Sequence, residues 1–449
     1  MKGKFNLIDI ARKGKAKLAG ESKFIKGFSI DSRTTIPGDL YIALKGNNFD
    51  GHDFINQAKE NGAIAIVSEK EIDIGLPVLK VDKTDNFLLE LAKSNRESFK
   101  GKVIGITGSN GKTSTKEILA TLLSLNNKCH KTEGNKNNQI GLPLSMLSLD
   151  NAFNHSVLEM GTSFQGEISI LNDLARPDIA LITNANESHL SGLGNVELVA
   201  KEKGQIAQFY NSDGILILCR DSPYFDYWVK NTNASKVISF GISPDSDFHV
   251  QETTIDLKGN KTSFKLSTNS KKLSCELRGL GEHNALNAAA AIAVCSCLDL
   301  DPEEIISALN EVVLPERRLT LNLLENNFFL IDDTYNANPD SIKKSINLMH
   351  QIKDLKKILV LGEMAELGDE SMRFHTTVAE YAQYKVDSLI CIGHLWQQGI
   401  KNFGKEGYFF NTRDEAINHL TSLSKDDTVI LIKGSRSTKM DEVADMLRN

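Results

Sequence analysis

The chain has 449 residues, a hydrophobic content of 41% and a formal net charge of −6. This length exceeds what a single hydrophobic core holds and predicts about three domains, and the acidic balance argues against a general nucleic-acid or membrane-surface binder. The N-terminus has no apolar leader and no apolar run approaches the ~20 residues that span a bilayer, so we expect a cytoplasmic protein without membrane insertion.

The first two segments are both predicted to be α/β. Residues 1–100 form a small unit, with strand-like runs at 39–44 and 63–67 around a helical stretch at 54–61. Residues 101–315 alternate helical periods with strands, the pattern of a mainly parallel sheet covered on both faces; these strands are 103–107, 156–159, 179–183 and 214–218. Short alternating runs between 236 and 280 predict antiparallel strands added to that sheet, followed by a helix from Asn284 through an alanine block.

The third segment, residues 316–449, begins after a linker at Pro315 and repeats the alternation of strand and helix. Its predicted strands are 328–332, 357–362, 388–393 and 428–433. The predicted fold class is therefore α/β with three domains: a small α/β domain, a central P-loop-type domain with a mainly parallel sheet, and a C-terminal Rossmann-like α/β domain. The six scattered cysteines are predicted to be buried thiols rather than zinc ligands or disulfides.

A glycine-containing run, Thr107–Thr113, lies between the apolar strand 103–106 and a helical period. Glycines let successive N–H groups and a helix N-terminus face an anion, Lys112 adds a positive charge, and Thr113 offers a hydroxyl to Mg²⁺. We therefore predict a phosphate loop for ATP or GTP. The strict pattern has glycine where Ile106 stands, so either Gly105 or Gly108 must take that role; an ordinary strand-to-helix turn is the alternative.

Three further polar residues follow predicted strands near this loop. Glu159 ends the run 156–158 and is a candidate Mg²⁺ ligand at the carboxyl edge of the sheet, although a solvated glutamate is common there. His189 follows the strand 179–183 by a short loop and, taken alone, is more often structural than metal-binding. Lys203 lies in the helical segment 198–207, where an exposed lysine is the ordinary expectation.

Together these elements resemble the Mur ligases, the ATP-dependent amide-forming enzymes of bacterial peptidoglycan precursor synthesis. The family's phosphate loop also lacks the first glycine of the strict pattern. The resemblance implies that Thr113, Glu159 and His189 bind Mg²⁺ and that Lys203 is carbamylated. A carbamate is an anion that tolerates a neighbouring cation, whereas an ammonium group is repelled by one.

Other motifs extend the resemblance to the nucleotide site. The run 281–287 resembles the adenine-side motif, which implies contacts from His283, Asn284 and Asn287, although Asn284 taken alone could cap a helix. The run 315–319 resembles the segment whose arginine reaches the γ-phosphate; Arg318 fits best, but the choice against Arg317 stays open. The implied ATP-binding residues are Gly108, Ser109, Asn110, Gly111, Lys112, Thr113, Ser114, His283, Asn284, Asn287, Arg318 and Asp333, and the implied catalytic residues are Lys112, His189, Lys203 and Arg318.

The implied substrates come from motifs outside the ATP site. Runs 132–141, 361–368 with His375, and 433–437 resemble the branch that joins UDP-N-acetylmuramoyl-tripeptide to D-Ala-D-Ala, and the Asp-Asn-Pro-Arg run of the diaminopimelate- or lysine-adding branch does not occur. Runs 31–33, 37–39 and 50–54 resemble the family's UDP-sugar-binding first domain. The run 332–339 resembles the motif that opens the third domain, with Asp333 toward the ribose. The implied substrate-binding residues are Ser32, Arg33, Asn137, Asn138, Asn336 and Asn338.

We expect a monomer that forms the amide through an acyl phosphate. Two other functions are weighed: a folylpolyglutamate synthase-like ligase, which lacks the UDP-binding first domain, and an inactive nucleotide-binding scaffold, for which the site residues should be broken. The sequence leaves open whether the third peptide residue is lysine or diaminopimelate.

Overall fold

The computed structural model describes residues 5–46, 48–125, 127–268, 271–423 and 426–448. Contacts between Cα atoms divide the chain into two compact units, and each is described by itself. The first unit comprises Met1–Val103, Lys128–Met160 and Ile170–Arg176; the second comprises Ile104–Asn127, Gly161–Ser169 and Pro177–Asn449. The predicted boundaries at residues 100 and 315 are not tested by this division and stay predictions.

The elements of the N-terminal part begin with short strands. They are β1 (Phe5–Asn6), α1 (Leu7–Lys13), β2 (Lys17–Ala19), β3 (Phe24–Ile25), β4 (Gly27–Ser29), β5 (Asp39–Ile42), α2 (Ile55–Glu60), β6 (Ala65–Ser68), β7 (Val78–Lys80) and α3 (Thr84–Ser98).

Strands and helices alternate in the middle of the chain. They are β8 (Lys102–Thr107), α4 (Lys112–Leu123), β9 (Cys129–Lys131), α5 (Gly141–Met146), β10 (His155–Glu159), α6 (Glu167–Ala175), β11 (Ile179–Ile182), α7 (Leu190–Leu193), α8 (Val196–Gly204), β12 (Ile215–Cys219), α9 (Phe225–Lys230), β13 (Lys236–Gly241), β14 (Phe248–Asp256), β15 (Lys261–Thr268), β16 (Lys272–Arg278), α10 (Glu282–Ser296) and α11 (Pro302–Leu309).

The C-terminal part continues the alternation. Its elements are β17 (Thr320–Leu323), β18 (Phe329–Asp333), α12 (Pro339–Gln351), β19 (Lys356–Leu361), α13 (Ser371–Ala382), β20 (Ser388–Ile392), α14 (Gln397–Phe403), β21 (Gly407–Phe410), α15 (Arg413–Ser422), β22 (Thr428–Lys433) and α16 (Met440–Arg448). Single turns of 3₁₀-helix lie at Gly51–Phe54, Gln205–Ala207, Glu325–Asn327, Gly368–Glu370, His394–Trp396 and Arg436–Thr438.

The first unit contains a five-stranded sheet of order β2-β7-β6-β5-β4. Its neighbours are parallel except for β2, which runs antiparallel to β7. Parallel strands need crossover helices, and α2 supplies one by packing Ile55 and Ala58 on the side chains of Tyr41 and Ile66. The same unit holds the parallel pair of β9 and β10.

The central sheet of the second unit has the strand order β16-β15-β14-β13-β12-β11-β8. From β8 through β11, β12 and β13 to β14, neighbouring strands are parallel. Strand β15 runs antiparallel to β14, and β16 runs antiparallel to β15. The predicted antiparallel addition is therefore confirmed for β15 and β16, whereas β13 and β14 continue the parallel part. Helix α10 packs on α4, and its run of alanines, all buried, permits the close approach.

The C-terminal sheet has the order β17-β18-β22-β19-β20-β21 and is parallel except for β17. The four predicted strands correspond to β18, β19, β20 and β22, shifted by at most one residue. Val360, Ile390 and Ile430 form the centre of its core. The fold class is mixed α/β with mostly parallel sheets, as predicted.

The cysteines and the helices agree with two further expectations. The cysteines are free thiols, four of them buried, and burial raises the pKa of Cys219 and Cys275 to about 12. The described helices are all too short or too polar to traverse a lipid bilayer.

Candidate active site

The run between β8 and α4 forms a tight loop that depends on two glycines. Gly108 and Gly111 have φ values of +153° and +83°, which side chains rarely adopt. A Cβ atom on Gly108 would lie 1.8 Å from Thr183 Oγ1. Gly105 is an interior strand residue opposite Ala180, so of the two candidate glycines only Gly108 lies in the loop.

Residues after β11 hold this loop in place. Thr183 Oγ1 donates to the carbonyl of Asn110 at 2.6 Å, and the amide of Asn110 donates to Asn184 Oδ1 at 2.9 Å. Ser109 Oγ donates to the carbonyl of Asn186 at 3.0 Å. The loop therefore has a fixed shape at the carboxyl ends of two neighbouring parallel strands, where α/β sheets bind ligands.

Helix α4 begins at Lys112, and its first turn buries Thr113 and Ser114. The Lys112 ammonium group donates to the carbonyls of Gly108 at 2.6 Å and Ser109 at 3.3 Å. A positive charge and a helix N-terminus thus meet at one loop, which is an arrangement suited to phosphate.

Arg318 reaches the same turn, whereas Arg317 does not. Arg318 Nη2 donates to Thr113 Oγ1 at 3.0 Å, and its guanidinium lies 4.0 Å from the ring centre of Tyr335. Within the described residues, the buried Nε of Arg318 has no hydrogen-bond partner. Arg317 instead pairs with Asp441 on α16. The geometry favours Arg318 as the phosphate-binding arginine.

The adenine-side residues lie at the start of α10. Asn287 Nδ2 donates to Asn284 Oδ1 at 3.3 Å, and Asn287 Oδ1 would lie 2.5 Å from a Cβ atom on Gly111. The structure thus brings Asn287 to the phosphate loop. Gly281 is the N-cap, so the alternative of Asn284 as a cap is wrong. Burial, with a smaller contribution from Lys344, lowers the pKa of His283 to about 3.

Lys203 on α8 is almost fully buried, with 1% of its surface exposed. Burial first, and the charge of Lys112 second, lower its pKa well below the usual value. The expectation of an exposed helix lysine is therefore wrong. This environment therefore favours the neutral amine of Lys203 over its ammonium form.

His189 is the N-cap of α7 in a left-handed backbone conformation, with φ +53°. Its Nδ1 lies 2.5 Å from Glu366 Oε2, and Ser191 N–H donates to the Glu366 carbonyl at 3.1 Å. A side-chain hydrogen bond from His189 lowers the pKa of Glu366. Sequence reasoning missed Glu366 as the partner of His189.

Glu159 belongs to the first unit, where it ends β10 and is buried. Its Oε1 accepts from Asn137 Nδ2 at 2.8 Å, so the alternative of a solvated glutamate is wrong. Asn138 Oδ1 accepts the amides of Ile140 and Gly141 at the start of α5. Among the residues that the structure describes, no three His, Cys, Asp or Glu side chains gather into a group that could hold a metal ion.

The residues predicted at the opening of the third domain have separate partners. Asp333 Oδ2 pairs with Lys433 Nζ at 2.6 Å and also accepts from Ser345. Asn338 caps α12, and its Nδ2 donates to Asn110 Oδ1 of the phosphate loop at 2.8 Å. Asn336 is exposed and accepts the amide of Ala337.

A cavity of about 1290 Å³ lies in the first unit. Asn138 and four lysines are among its lining residues; the lysines are Lys26, Lys128, Lys131 and Lys136.

The predicted Ser32 is buried and donates to Gln57 Oε1 at 2.6 Å, while Arg33 is exposed and pairs with Asp31 at 2.7 Å.

Sequence reasoning missed two asparagines, Asn184 and Asn186, which follow β11 closely and are hydrogen-bonded to the phosphate loop. Their position after a buried strand was the available signal, because polar residues at the carboxyl ends of parallel strands share one edge of the sheet.

Three family models match the chain in succession: the Mur ligase family catalytic domain at residues 24–100, the Mur ligase middle domain at 106–295, and the Mur ligase glutamate ligase domain at 317–436. The UDP-N-acetylmuramoyl-tripeptide--D-alanyl-D-alanine ligase of Escherichia coli (strain K12) is 36% identical over 436 residues, which cover 96% of this chain and 95% of that protein.

Two solved structures are similar over nearly their whole length. MurF from Acinetobacter baumannii aligns with a TM-score of 0.92 and 28% identity, covering 100% of this chain and 99% of that one. MurF ligase from Thermotoga maritima in complex with ADP aligns with a TM-score of 0.82 and 29% identity, covering 94% and 97%.

Proposed function

Since this chain belongs to the Mur ligase family, we propose that it joins D-Ala-D-Ala to UDP-N-acetylmuramoyl-tripeptide at the expense of ATP in peptidoglycan precursor synthesis. The observation that carries the proposal is the contact of Arg318 with Thr113. This contact brings an arginine from the C-terminal part to the first turn after a phosphate loop, which is what charge neutralisation at a γ-phosphate needs.

The loop fits a nucleotide triphosphate. Its glycines allow Thr183 and Asn287 to pack directly against the loop backbone, which fixes the loop's shape, and the buried Nε of Arg318 offers a donor that no described residue uses. Lys112 and Arg318 are proposed to neutralise charge on the transferred phosphoryl group. Asn287 beside Gly111 extends the same site toward the base.

The reaction is proposed to proceed in two steps. The terminal carboxylate of the tripeptide attacks the γ-phosphorus, the bond to the β,γ-bridging oxygen breaks, and ADP leaves with that electron pair. The dipeptide amine then attacks the acyl carbon, inorganic phosphate leaves, and the amine loses a proton. Water competes at the acyl phosphate, so the C-terminal part must lie over the loop during both steps.

Thr113, Glu159 and His189 are proposed to hold Mg²⁺. The hydroxyl and carboxylate are hard oxygen donors, and one or two carboxylates together with substrate phosphates suffice for this ion. When bound, Mg²⁺ would offset phosphate charge. Glu159 is buried and already oriented by Asn137, which suits a metal-binding carboxylate.

Lys203 is proposed to be carbamylated. The neutral amine adds to carbon dioxide with loss of one proton, which forms an N–C bond and leaves an anion. The lowered pKa of Lys203 supports this proposal because it increases the neutral fraction. The resulting anion would also remove the repulsion that Lys112 exerts on an ammonium group.

The cavity of the first unit is proposed to bind the UDP portion of the substrate. Its wall holds four lysines and four acidic residues; the lysines suit a diphosphate, and the cavity's volume exceeds that of a single small ligand site. The enzyme is proposed to act as a monomer in the cytoplasm, where ATP and UDP-linked metabolites are found.

Phosphate release from ATP tests this proposal in three parallel reactions: UDP-N-acetylmuramoyl-tripeptide with D-Ala-D-Ala, folate with glutamate, and neither pair. We expect release only in the first reaction, and only when both substrates are present. Release with folate and glutamate, or release without the muramoyl substrate, would contradict the proposed ligase. Supplying tripeptides that end in lysine or in diaminopimelate decides which of them the enzyme accepts.

A further inference from the structure

Three side chains converge on the carboxylate of Asp340, the second residue of α12. Asn110 Nδ2 and Asn186 Nδ2 donate to its Oδ2 at 2.9 and 2.7 Å. Lys344, one turn later, lies 2.9 Å from the same oxygen. Asn110 belongs to the phosphate loop and Asn186 to the segment after β11, so both are distant from α12 in sequence.

These contacts exceed what a helix needs from an acidic residue in its first turn. The dipole of α12 favours a carboxylate near its start wherever that carboxylate points. The cap itself is made by Asn338, whose Oδ1 accepts the amide of Ser341 at 2.8 Å. Asp340 therefore has no capping role, and its oxygen is directed at two amide groups outside its own helix.

The hydrogen bonds to the Asp340 carboxylate are stronger than those to a neutral or fully exposed acceptor. Its side chain is 26% exposed, so solvent screens it less than an ordinary surface carboxylate. Hydrogen bonds to a charged acceptor are about twice as strong as neutral ones. Beside them, Asn338 and Asn110 exchange side-chain amide bonds, but Asn338 is already fixed by its capping role.

We propose that Asp340 is a positioning residue that holds the C-terminal part of the chain against the phosphate loop in the arrangement that amide formation requires. The proposal rests on the ligase function proposed above. Asp340 acts through Asn110 and Asn186 and touches no reacting atom. Its loss should allow the loop and the segment after β11 to open more often, which would expose an acyl phosphate to water.

Asp414 offers a matched control. Like Asp340, it is the second residue of a helix that begins with a capping box, here α15 with Thr412 as the N-cap. It is exposed. Asp414→Ala and Asp340→Ala thus remove the same charge from the same helical position, and only the second removes the bonds to Asn110 and Asn186.

Hydrogen exchange followed by mass spectrometry, without substrates, measures the opening directly. We expect Asp340→Ala to speed exchange about tenfold in peptides covering 108–111 and 184–188, the change that losing hydrogen bonds to a charged group produces. Asp414→Ala should leave both peptides unchanged. Equal exchange in these peptides for the two variants would overturn the proposal. This readout needs no turnover, so it fails independently of the proposed ligase function.

Kinetics and a double variant complete the test. For Asp340→Ala we expect kcat/KM for D-Ala-D-Ala to fall about tenfold and more ATP to be hydrolysed per amide formed. Asn186→Ala should reproduce part of this loss. The double variant should lose no more than Asp340→Ala alone, because the side-chain bond that Asn186→Ala removes is already absent without Asp340. Fully additive losses, or unchanged coupling of ATP hydrolysis to amide formation, would contradict a positioning role.

Discussion

Arg317 and Arg318 are adjacent in the chain, yet their side chains serve different parts of the molecule. Arg318 contacts Thr113 and the ring of Tyr335, and Arg317 pairs with Asp441 and Asp445 on α16. The residues Arg317 and Leu319 have positive φ values, so the chain turns sharply on either side of Arg318 and the two guanidinium groups diverge. A local turn thus decides which arginine reaches the phosphate loop.

Replacing each arginine by lysine separates the two roles. A lysine keeps the charge but loses the planar fork, so we expect Arg318→Lys to lower kcat by about 10²–10³-fold, as for loss of a transition-state donor. Arg317→Lys should reduce the free energy of unfolding by about 0.5–1 kcal/mol and leave turnover within about threefold. Steady-state kinetics and denaturant unfolding measure both quantities, and a larger kinetic loss for Arg317→Lys would reverse the assignment.

Lys203 and Lys201 form a second matched pair, two residues apart on α8. Lys203 is buried and Lys201 is exposed. We expect Lys203→Ala to lower activity by more than about 10²-fold, because an anion that orients the site is lost. Formate or acetate should restore part of that activity by supplying a free carboxylate.

The comparison with Lys201→Ala gives the control for that experiment. This variant should retain wild-type turnover and should not respond to added acids. Mass spectrometry of the native protein in bicarbonate buffer adds an independent readout, with an expected increase of one carbon dioxide on Lys203. Wild-type turnover by Lys203→Ala would show that the lysine has no role at the metal site.

At the scale of elements, the run 50–54 before α2 uses its polar side chains to stabilise its own turn. Asp50 caps the 3₁₀ turn by accepting the amide of His52 at 3.0 Å. The buried ring of His52 accepts Glu69 N–H at Nε2, so its proton lies on Nδ1 and is donated to Asp50 at 2.6 Å. The run 50–54, which resembles a UDP-binding motif, therefore closes its own turn.

This turn predicts a pH dependence of stability. The hydrogen bonds from the backbone and ring of His52 lower the pKa of Asp50 from 3.8 to about 2. A lowered folded-state pKa stabilises the protein above the unfolded-state value, and that stabilisation is lost as pH falls from about 4 toward 2. We expect Asp50→Asn to cost on the order of 1 kcal/mol at pH 6 and progressively less below pH 4.

Thermal unfolding from pH 7 to pH 3 measures this difference. The control is Asp53→Asn, which alters an exposed carboxylate in the same turn. Its stability should differ only slightly from that of wild type, and this difference should not change with pH. If the unfolding temperatures of wild type and Asp50→Asn differ by the same amount from pH 7 to pH 3, the hydrogen bonds to Asp50 do not depend on its charge.

Sequence patterns predicted interior elements better than edge elements. The buried runs of β18, β19, β20 and β22 give a continuous apolar signal, and their predicted bounds differ by no more than one residue. The edge strands β17 and β21 are only partly buried, and their weak alternation left them unpredicted. Edge strands bury fewer side chains, so their sequences are less constrained.

In the candidate site, too, some features were predictable from sequence and others were not. The phosphate loop was predictable because its glycines have backbone conformations that other residues rarely adopt. The burial of Lys203, the pairing of His189 with Glu366 and the bonds of Asp340 were not, because each depends on tertiary contacts between segments far apart in sequence. A local pattern of residues carries no information about such contacts.

At the scale of the whole molecule, the two compact units are proposed to divide the two nucleotide-linked substrates. The phosphate loop belongs to the second unit, and the lysine-lined cavity belongs to the first. Each nucleotide diphosphate should therefore stabilise a different set of backbone amides.

Hydrogen exchange in the presence of ADP or UDP distinguishes these sites. ADP should slow exchange at 108–114 and 281–287, and UDP should slow it at 26–39 and 128–141. At a ligand concentration of about 100 Kd, binding to the folded state contributes about 2.7 kcal/mol, which limits the slowing to about a hundredfold. Adenosine, which lacks phosphates, should protect 281–287 more than 108–114. Ligand stabilisation appears first in the amides nearest the occupied site. The cavity and the loop therefore do not divide the substrates if UDP protects 108–114, or if ADP alone protects the first unit.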